Sequence, residues 1–211
     1  GILYQRDFTV PKGMVLTSQS KTKDDFDKIE KWWQDNSYCK LAIRSSAKSE
    51  DSKDFSFAGQ NSTFLDITEK SALEAAIKSC FNSKDKHSSK AYRKHFLGSE
   101  IEAGMNVVIQ RMLTPKYSGV FFSKDPRGES DEWILELIEG LGEDLVSGKV
   151  TPKSFSKNNE DQWHNIIDDV DLVMEVANTG LKVKESLGYE VDMEWAVEDG
   201  CLYVLQARPI T

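Results

Sequence analysis

The chain is poor in the residues that would anchor several common readings. Its three cysteines, Cys39, Cys80 and Cys201, stand far apart among 211 residues. An odd, scattered set builds neither a disulfide framework nor a zinc site, so these read as reduced thiols of a cytoplasmic protein. The three histidines, His87, His95 and His164, lie in polar surroundings without an acidic or glycine-rich partner motif and read as surface residues. Lys and Arg number 27 against 35 Asp and Glu, a formal net charge of −8, and no basic cluster offsets the deficit. That balance argues against nucleic acid as a partner. No apolar run approaches the ~20 residues that span a bilayer. The opening GILYQRDFTV has neither the basic nor the apolar region of a signal peptide.

What is present is core-forming material: 39% hydrophobic residues, with five Trp and ten Phe. The length suits one large domain or two small lobes. Periodicity predicts a helix over 24–35, with Phe26, Ile29 and Trp33 on one face, and another over 69–81, with Leu73, Ala76, Ile77 and Cys80 aligned. A third helix is expected over 90–96 and a longer one over 169–187. Met105 to Met112 is a continuous, β-branched apolar run and reads as a buried strand. Strands are also expected at 14–16, 120–122 and 133–138, with a polar loop over 157–161. A hairpin is expected from 191 to 205, turning at Glu198-Asp199-Gly200. The order is α+β, and the chain divides into an N-terminal lobe, 1–112, and a C-terminal lobe, 113–211.

Three constellations stand out. The first is LAIRSSAKSEDSKDFSFAGQNSTFLD, residues 41–66. It places Arg44 at a strand end, facing a loop that carries Gly59, and then returns as a strand through Thr63. A cation beside a glycine loop with free backbone N–H groups suits a polyphosphate; the same residues would serve as a salt bridge beside an ordinary turn. The second is the last hairpin, which sets Glu194 opposite Gln206 with Arg208 on the same face. A carboxylate, an amide oxygen and a guanidinium suit Mg²⁺ with phosphate; the alternative is a cross-strand polar pair with a salt bridge. The third is Gln110, a polar residue within an apolar strand. It needs buried partners, either neighbouring backbone or an adenine edge with help from the backbone of Met112. A Met side chain packs adaptably against a flat ring.

Taken together, RSSAKSED, SFAGQ, VVIQRM, SGVFFSKDP, GLGEDLVSGKVTP, DMEWAV and LYVLQARPIT resemble one family in order and spacing. The sequence is similar to the ATP-binding domain of phosphoenolpyruvate synthase, pyruvate phosphate dikinase and rifampin phosphotransferase. The match runs over nearly all of residues 9 to 211.

The resemblance implies an ATP-grasp fold of two lobes, with nucleotide in the cleft between them. It implies a phosphotransferase that cleaves ATP to AMP and forms a pyrophosphoryl-His on a separate swivelling domain, which is then hydrolysed or phosphorolysed to a phospho-His. From there the phosphoryl goes to a small acceptor on a third domain: pyruvate, an antibiotic, or an amide such as glutamine. Carried over by motif, Arg44 binds phosphates, and Gly59 and Thr63 belong to the loop that clamps them. Gln110 and Met112 hold adenine, Glu194 and Gln206 bind Mg²⁺, and Arg208 stabilises the transferring phosphoryl. The family's Gly-Gly-Lys segment and its Thr-Ser-His motif are both missing from these residues. The expectation is therefore an excised domain of a longer enzyme, able to bind ATP but inactive alone. Two rival expectations are a non-catalytic nucleotide-binding module and an ATP-grasp carboxylate–amine ligase that releases ADP.

Overall fold

Val107 and Ile109, both fully buried, give the strand between them and their neighbours one dry face. In a computed structural model that describes residues 1–17, 23–47, 63–87, 105–146 and 148–210, this strand is β4 (Met105–Arg111). It runs antiparallel to both β1 (Gly13–Leu16) and β2 (Leu41–Ala47), and β2 pairs in turn with β3 (Thr63–Ile67). The sheet order is β1-β4-β2-β3. Two helices cover its dry face, α2 (Lys23–Asp35) and α3 (Lys70–His87). Ile29 and Trp33 of α2 and Leu73, Ala76, Ile77 and Cys80 of α3 are buried against Leu41, Ile43, Val107 and Ile109. The spacings of three and four residues set these side chains on one stripe of each helix. α3 runs beyond the expected 69–81, and the helix expected at 90–96 lies outside the described residues. This unit is Lys12–Met112.

The second unit joins Leu113–Thr211 to Gly1–Pro11. The first eleven residues thus belong with the C-terminal half and not with the lobe in which the sequence reading placed them. A short helix, α1 (Ile2–Gln5), leads into a segment whose Leu3 and Phe8 pack on this unit's core. The Val204 N–H donates to the Thr9 carbonyl at 2.8 Å, which ties that segment down. Apolar residues at the start of a chain go wherever a dry face remains to be covered.

The sheet here is fully antiparallel, in the order β7-β6-β5-β8-β9. Its strands are β5 (Tyr117–Phe122), β6 (Ile134–Glu139), β7 (Lys153–Ser156), β8 (Val191–Glu198) and β9 (Cys201–Pro209). A four-residue helix, α4 (Glu143–Val146), follows β6. Residues 157–165, expected to begin as a polar loop, form a 3-10 helix (Lys157–Asn165). It is pinned by Trp163, which is buried and donates its indole N–H to Asn159 Oδ1 at 2.9 Å. One aromatic in a polar run outweighed the run's composition, because burying it returns a few kcal/mol, on the order of 3.

α5 (Val170–Leu187) packs on one face of this sheet. Asp169 caps it, accepting from the Leu172 N–H at 3.2 Å, and Gly188 ends it at φ 79°. Gly180 lets the helix come down on β5: a Cβ there would overlap the Phe121 ring. Under the helix lie Phe121, Leu135, Met193, Trp195 and Val204, all essentially inaccessible. Strand alternation then turns the intervening residues to the sheet's other face.

Candidate functional site

That other face of the second sheet carries the polar residues. One row across it reads Glu136, Val120, Glu194, Gln206, and the next, two residues along each strand, reads Ile134, Phe122, Asp192, Arg208. Glu194 stands opposite Gln206, and Arg208 shares their face. The pairing depends on a feature that turn geometry does not supply. The hairpin turns tightly at Asp199 (φ 52°) and Gly200 (φ 73°), with Glu198 paired to Cys201. Two consecutive left-handed residues are the signature of a two-residue type I′ loop. Continued regularly, that register would put Leu205 opposite Glu194. A bulge between Trp195 and Glu194 shifts it, so that β9 carries one extra residue between Val204 and Gln206. Val204 therefore stays in the core opposite Trp195, while Gln206 and Arg208 emerge beside the acids.

Asp192, which the sequence reading passed over, completes the set. It is only 9% exposed. Arg208 donates to its Oδ2 from both Nε, at 2.8 Å, and a terminal nitrogen, at 2.7 Å. Among the described residues no donor reaches Asp192 Oδ1, although that oxygen is buried. Burial pushes the Asp192 carboxyl above its ordinary value; Arg208 pulls it back and the charge of Glu194 adds to the rise. Burial also raises Glu136, with Arg127 opposing the shift and Asp192 adding to it. The signal for Asp192 was available in the sequence: it precedes Glu194 by the same two residues that separate Gln206 from Arg208.

Glu194 and Gln206 supply one carboxylate and one amide oxygen from facing strands, next to a buried carboxylate oxygen that has no donor. Such a hard-oxygen donor set fits Mg²⁺, which uses one or two carboxylates and completes its shell with water and phosphate. Among the described residues, no group of three or more His, Cys, Asp or Glu is arranged to hold a metal by itself.

The first unit places Arg44, Thr63 and Gln110 on the face of its sheet away from the helices. Arg44 lies opposite Thr63 on β3 and Val108 on β4. Gln110 lies opposite Ala42 on β2 and Gly13 on β1. Arg44 and Gln110 thus share one face, two residues apart along the ladder. Gln110 is 9% exposed. Gly13 comes so close that a Cβ there would stand 2.9 Å from the Gln110 Cβ. Met112 follows β4; its N–H is already committed to the Lys40 carbonyl at 2.8 Å, and its Sδ accepts from the Asp66 N–H at 3.2 Å. Gly59 lies outside the described residues. A groove of about 590 Å³ between α2 and α3, floored by Phe26, Trp33, Leu73 and Ile77, contains none of the expected site residues.

Comparison with known proteins bears on the family and the fold. The profile of a family described as pyruvate phosphate dikinase, AMP/ATP-binding domain, matches residues 17–171. An uncharacterized phosphotransferase of Bacillus subtilis is 33% identical over 205 residues, covering 83% of this chain and 25% of its own length. A probable phosphoenolpyruvate synthase of Methanocaldococcus jannaschii is 31% identical over 203 residues, covering 81% and 17%. Rifampicin phosphotransferase of Bacillus cereus is 28% identical over 200 residues, covering 81% and 23%. The chain therefore spans a quarter or less of the length of these relatives. Among solved structures, a D-alanine–D-alanine ligase of Bacillus anthracis complexed with ATP superposes with a TM-score of 0.51. That match is at 15% identity and covers 99% of this chain and 52% of the ligase. The likeness is one of fold: the chain is α+β with an ATP-grasp architecture.

Proposed function

Because this chain belongs to the pyruvate phosphate dikinase AMP/ATP-binding domain family, we propose that it is the nucleotide-binding part of a longer phosphotransferase. In that protein it passes a pyrophosphoryl group from ATP to a His on a separate domain, releasing AMP. Transfer of the outer phosphoryl to water or inorganic phosphate leaves a phospho-His, whose remaining phosphoryl moves on to a small acceptor. The names of the relatives suggest pyruvate or an antibiotic as acceptor, and an amide such as glutamine is a further alternative.

The observation that carries this reading is the two-row face of Asp192, Glu194, Gln206 and Arg208. Phosphoryl transfer asks a protein for positioning and charge stabilisation more than for covalent chemistry. Arg208 is oriented by Asp192 through two donors to one oxygen, which leaves the rest of its guanidinium fork for a phosphoryl group. Glu194 and Gln206 would hold Mg²⁺, and the cation, when bound, would neutralise phosphate charge. An anionic Glu with a neutral Gln leaves the ion net positive toward the phosphates. Arg44 and Thr63 would hold phosphates, together with Gly59. Gln110 and Met112 would hold adenine, the latter with its side chain and carbonyl, since its N–H is spent.

The test is product analysis with the full-length protein and radiolabelled ATP. AMP with label on a protein histidine supports the reading. ADP formed with an acyl phosphate would replace it with the ligase chemistry of other ATP-grasp enzymes, and binding without turnover would leave a nucleotide-binding module.

A further inference from the structure

Between β5 and β6 the chain turns at Asp125-Pro126-Arg127-Gly128. Arg127 there is exposed, its side chain 63% accessible, whereas the Asp125 side chain is 3% accessible. Three donors of Arg127 converge on that buried carboxylate. The backbone N–H reaches Oδ1 at 2.9 Å, Nε reaches Oδ1 at 3.1 Å, and a terminal nitrogen reaches Oδ2 at 3.1 Å. An exposed Arg ordinarily keeps much of its rotamer freedom. This one is held in a fixed plane by a two-point clamp.

The turn itself does not need the guanidinium. It is closed by the Gly128 N–H to the Asp125 carbonyl at 3.1 Å, by the Arg127 backbone N–H to Asp125 Oδ1, and by Gly128 at φ 74°. Proline at the second position and glycine at the fourth suit such a turn with almost any residue between them. A guanidinium has five N–H donors, and the clamp uses two. That leaves three, and the terminal nitrogen that reaches Asp125 also lies 3.6 Å from a Glu129 carboxylate oxygen.

The location gives those donors a use. The turn leaves β5 after Phe122 and returns at Ile134, and both residues lie in the row that holds Asp192 and Arg208. Arg127 therefore sits at the same end of the sheet as the Asp192–Arg208 pair. Glu136, in the row of Glu194 and Gln206, is raised by burial, and the charge of Arg127 opposes that rise. We propose that Arg127 is a further phosphoryl-binding residue, a cation pre-set by Asp125 at the β5–β6 end of the face that carries Glu194, Gln206 and Arg208. This rests on the proposed ATP-binding role, and it names a residue that the sequence motifs do not single out.

The experiment is calorimetric titration of the protein with MgATP, AMP and magnesium tripolyphosphate, for the parent, Arg127→Ala, Arg127→Lys and Asp125→Asn. A charge-assisted contact predicts about a tenfold to hundredfold loss of MgATP and tripolyphosphate affinity in Arg127→Ala. AMP affinity should stay within about threefold of the parent, since AMP lacks the distal phosphoryls. Arg127→Lys should recover little, because an ammonium cannot be clamped side-on while donating forward. Asp125→Asn should lose several-fold, and combining it with Arg127→Ala should add nothing. If Arg127→Ala binds MgATP like the parent, the inference falls and the proposed function stands. An equal loss for AMP would mark Arg127 as a structural clamp and overturn the inference. Should Arg127→Ala fail to fold, Arg127→Lys decides: parental MgATP affinity there sinks the phosphoryl-binding role. A parent that binds neither MgATP nor tripolyphosphate overturns both readings.

Discussion

Glu194 and Gln206 face each other across the last hairpin one step beyond a bulge, so their side chains share a face that the turn's own register would have denied them. In the proposed role the two ligands are unequal. Glu194→Ala removes a charged oxygen and should weaken magnesium-dependent nucleotide binding more than Gln206→Ala, which removes a neutral one. In EDTA both variants should bind nucleotide as the parent does. Titration with and without Mg²⁺ checks this; an equal loss in EDTA would remove both residues from the metal.

Nucleotide should stabilise the chain by mass action. At 100 times its dissociation constant, MgATP should add about 2.7 kcal/mol. For a chain of this size that corresponds to a rise of roughly 5–10 °C in the melting temperature. Removing Mg²⁺ with EDTA should abolish most of the shift. Thermal unfolding at increasing MgATP measures it, and a flat response would contradict nucleotide binding.

Arg44 and Arg208 should fail in different ways. Arg44 would hold phosphate in the ground state, so Arg44→Ala should raise the Kd for ATP. Arg208 would act as charge moves, so Arg208→Ala should lower kcat of the full-length protein by about a hundredfold or more while ATP affinity changes less. Equilibrium binding and steady-state kinetics on both variants separate the two. Equal affinity losses with kcat intact would contradict these roles.

Glu136 gives a pH test that needs no ligand. Its carboxyl is raised by burial, so the charged form costs the folded state. Below the ordinary glutamate value of about 4.3 both folded and unfolded forms are protonated and nothing is lost. As pH rises through that value the unfolded chain ionises first, and stability declines until the folded form has ionised too. Glu136→Gln should therefore melt higher than the parent at pH 7, with the advantage shrinking as pH falls toward 4. An advantage that grew on acidification would mean that Glu136 is stabilised as a carboxylate in the folded state.

Much of this protein was readable locally. Ile29 with Trp33, Leu73 with Ile77, and Val170 with Val173 and Ala177 announce their helices because helical period is a property of neighbours in sequence. Asp169 marks the start of α5 for the same reason: capping is chemistry within one turn. Asp199-Gly200 announces its hairpin because few dipeptides accept two left-handed residues, and the motifs from Arg44 to Arg208 carried the family.

What tertiary structure alone decided involves partners far apart along the chain. Residues 1–11 pack on the second unit because the dry faces of that sheet and of Leu3 and Phe8 match, and no local pattern encodes which core is short of a cover. Trp163 turned a polar run into a 3-10 helix because its ring had a pocket to enter. Asp192 became the clamp of Arg208 only when β8 and β9 came together. The bulge at Leu205 was settled by competition between the two faces of one hairpin. Val204 must lie under α5 beside Trp195, and Gln206 and Arg208, too polar to bury there, must lie on the opposite face. With a side-chain period of two, an extra residue in β9 satisfies both demands at once. Turn chemistry set where the strands begin to pair, and the cost of burying a charge set where their register had to change.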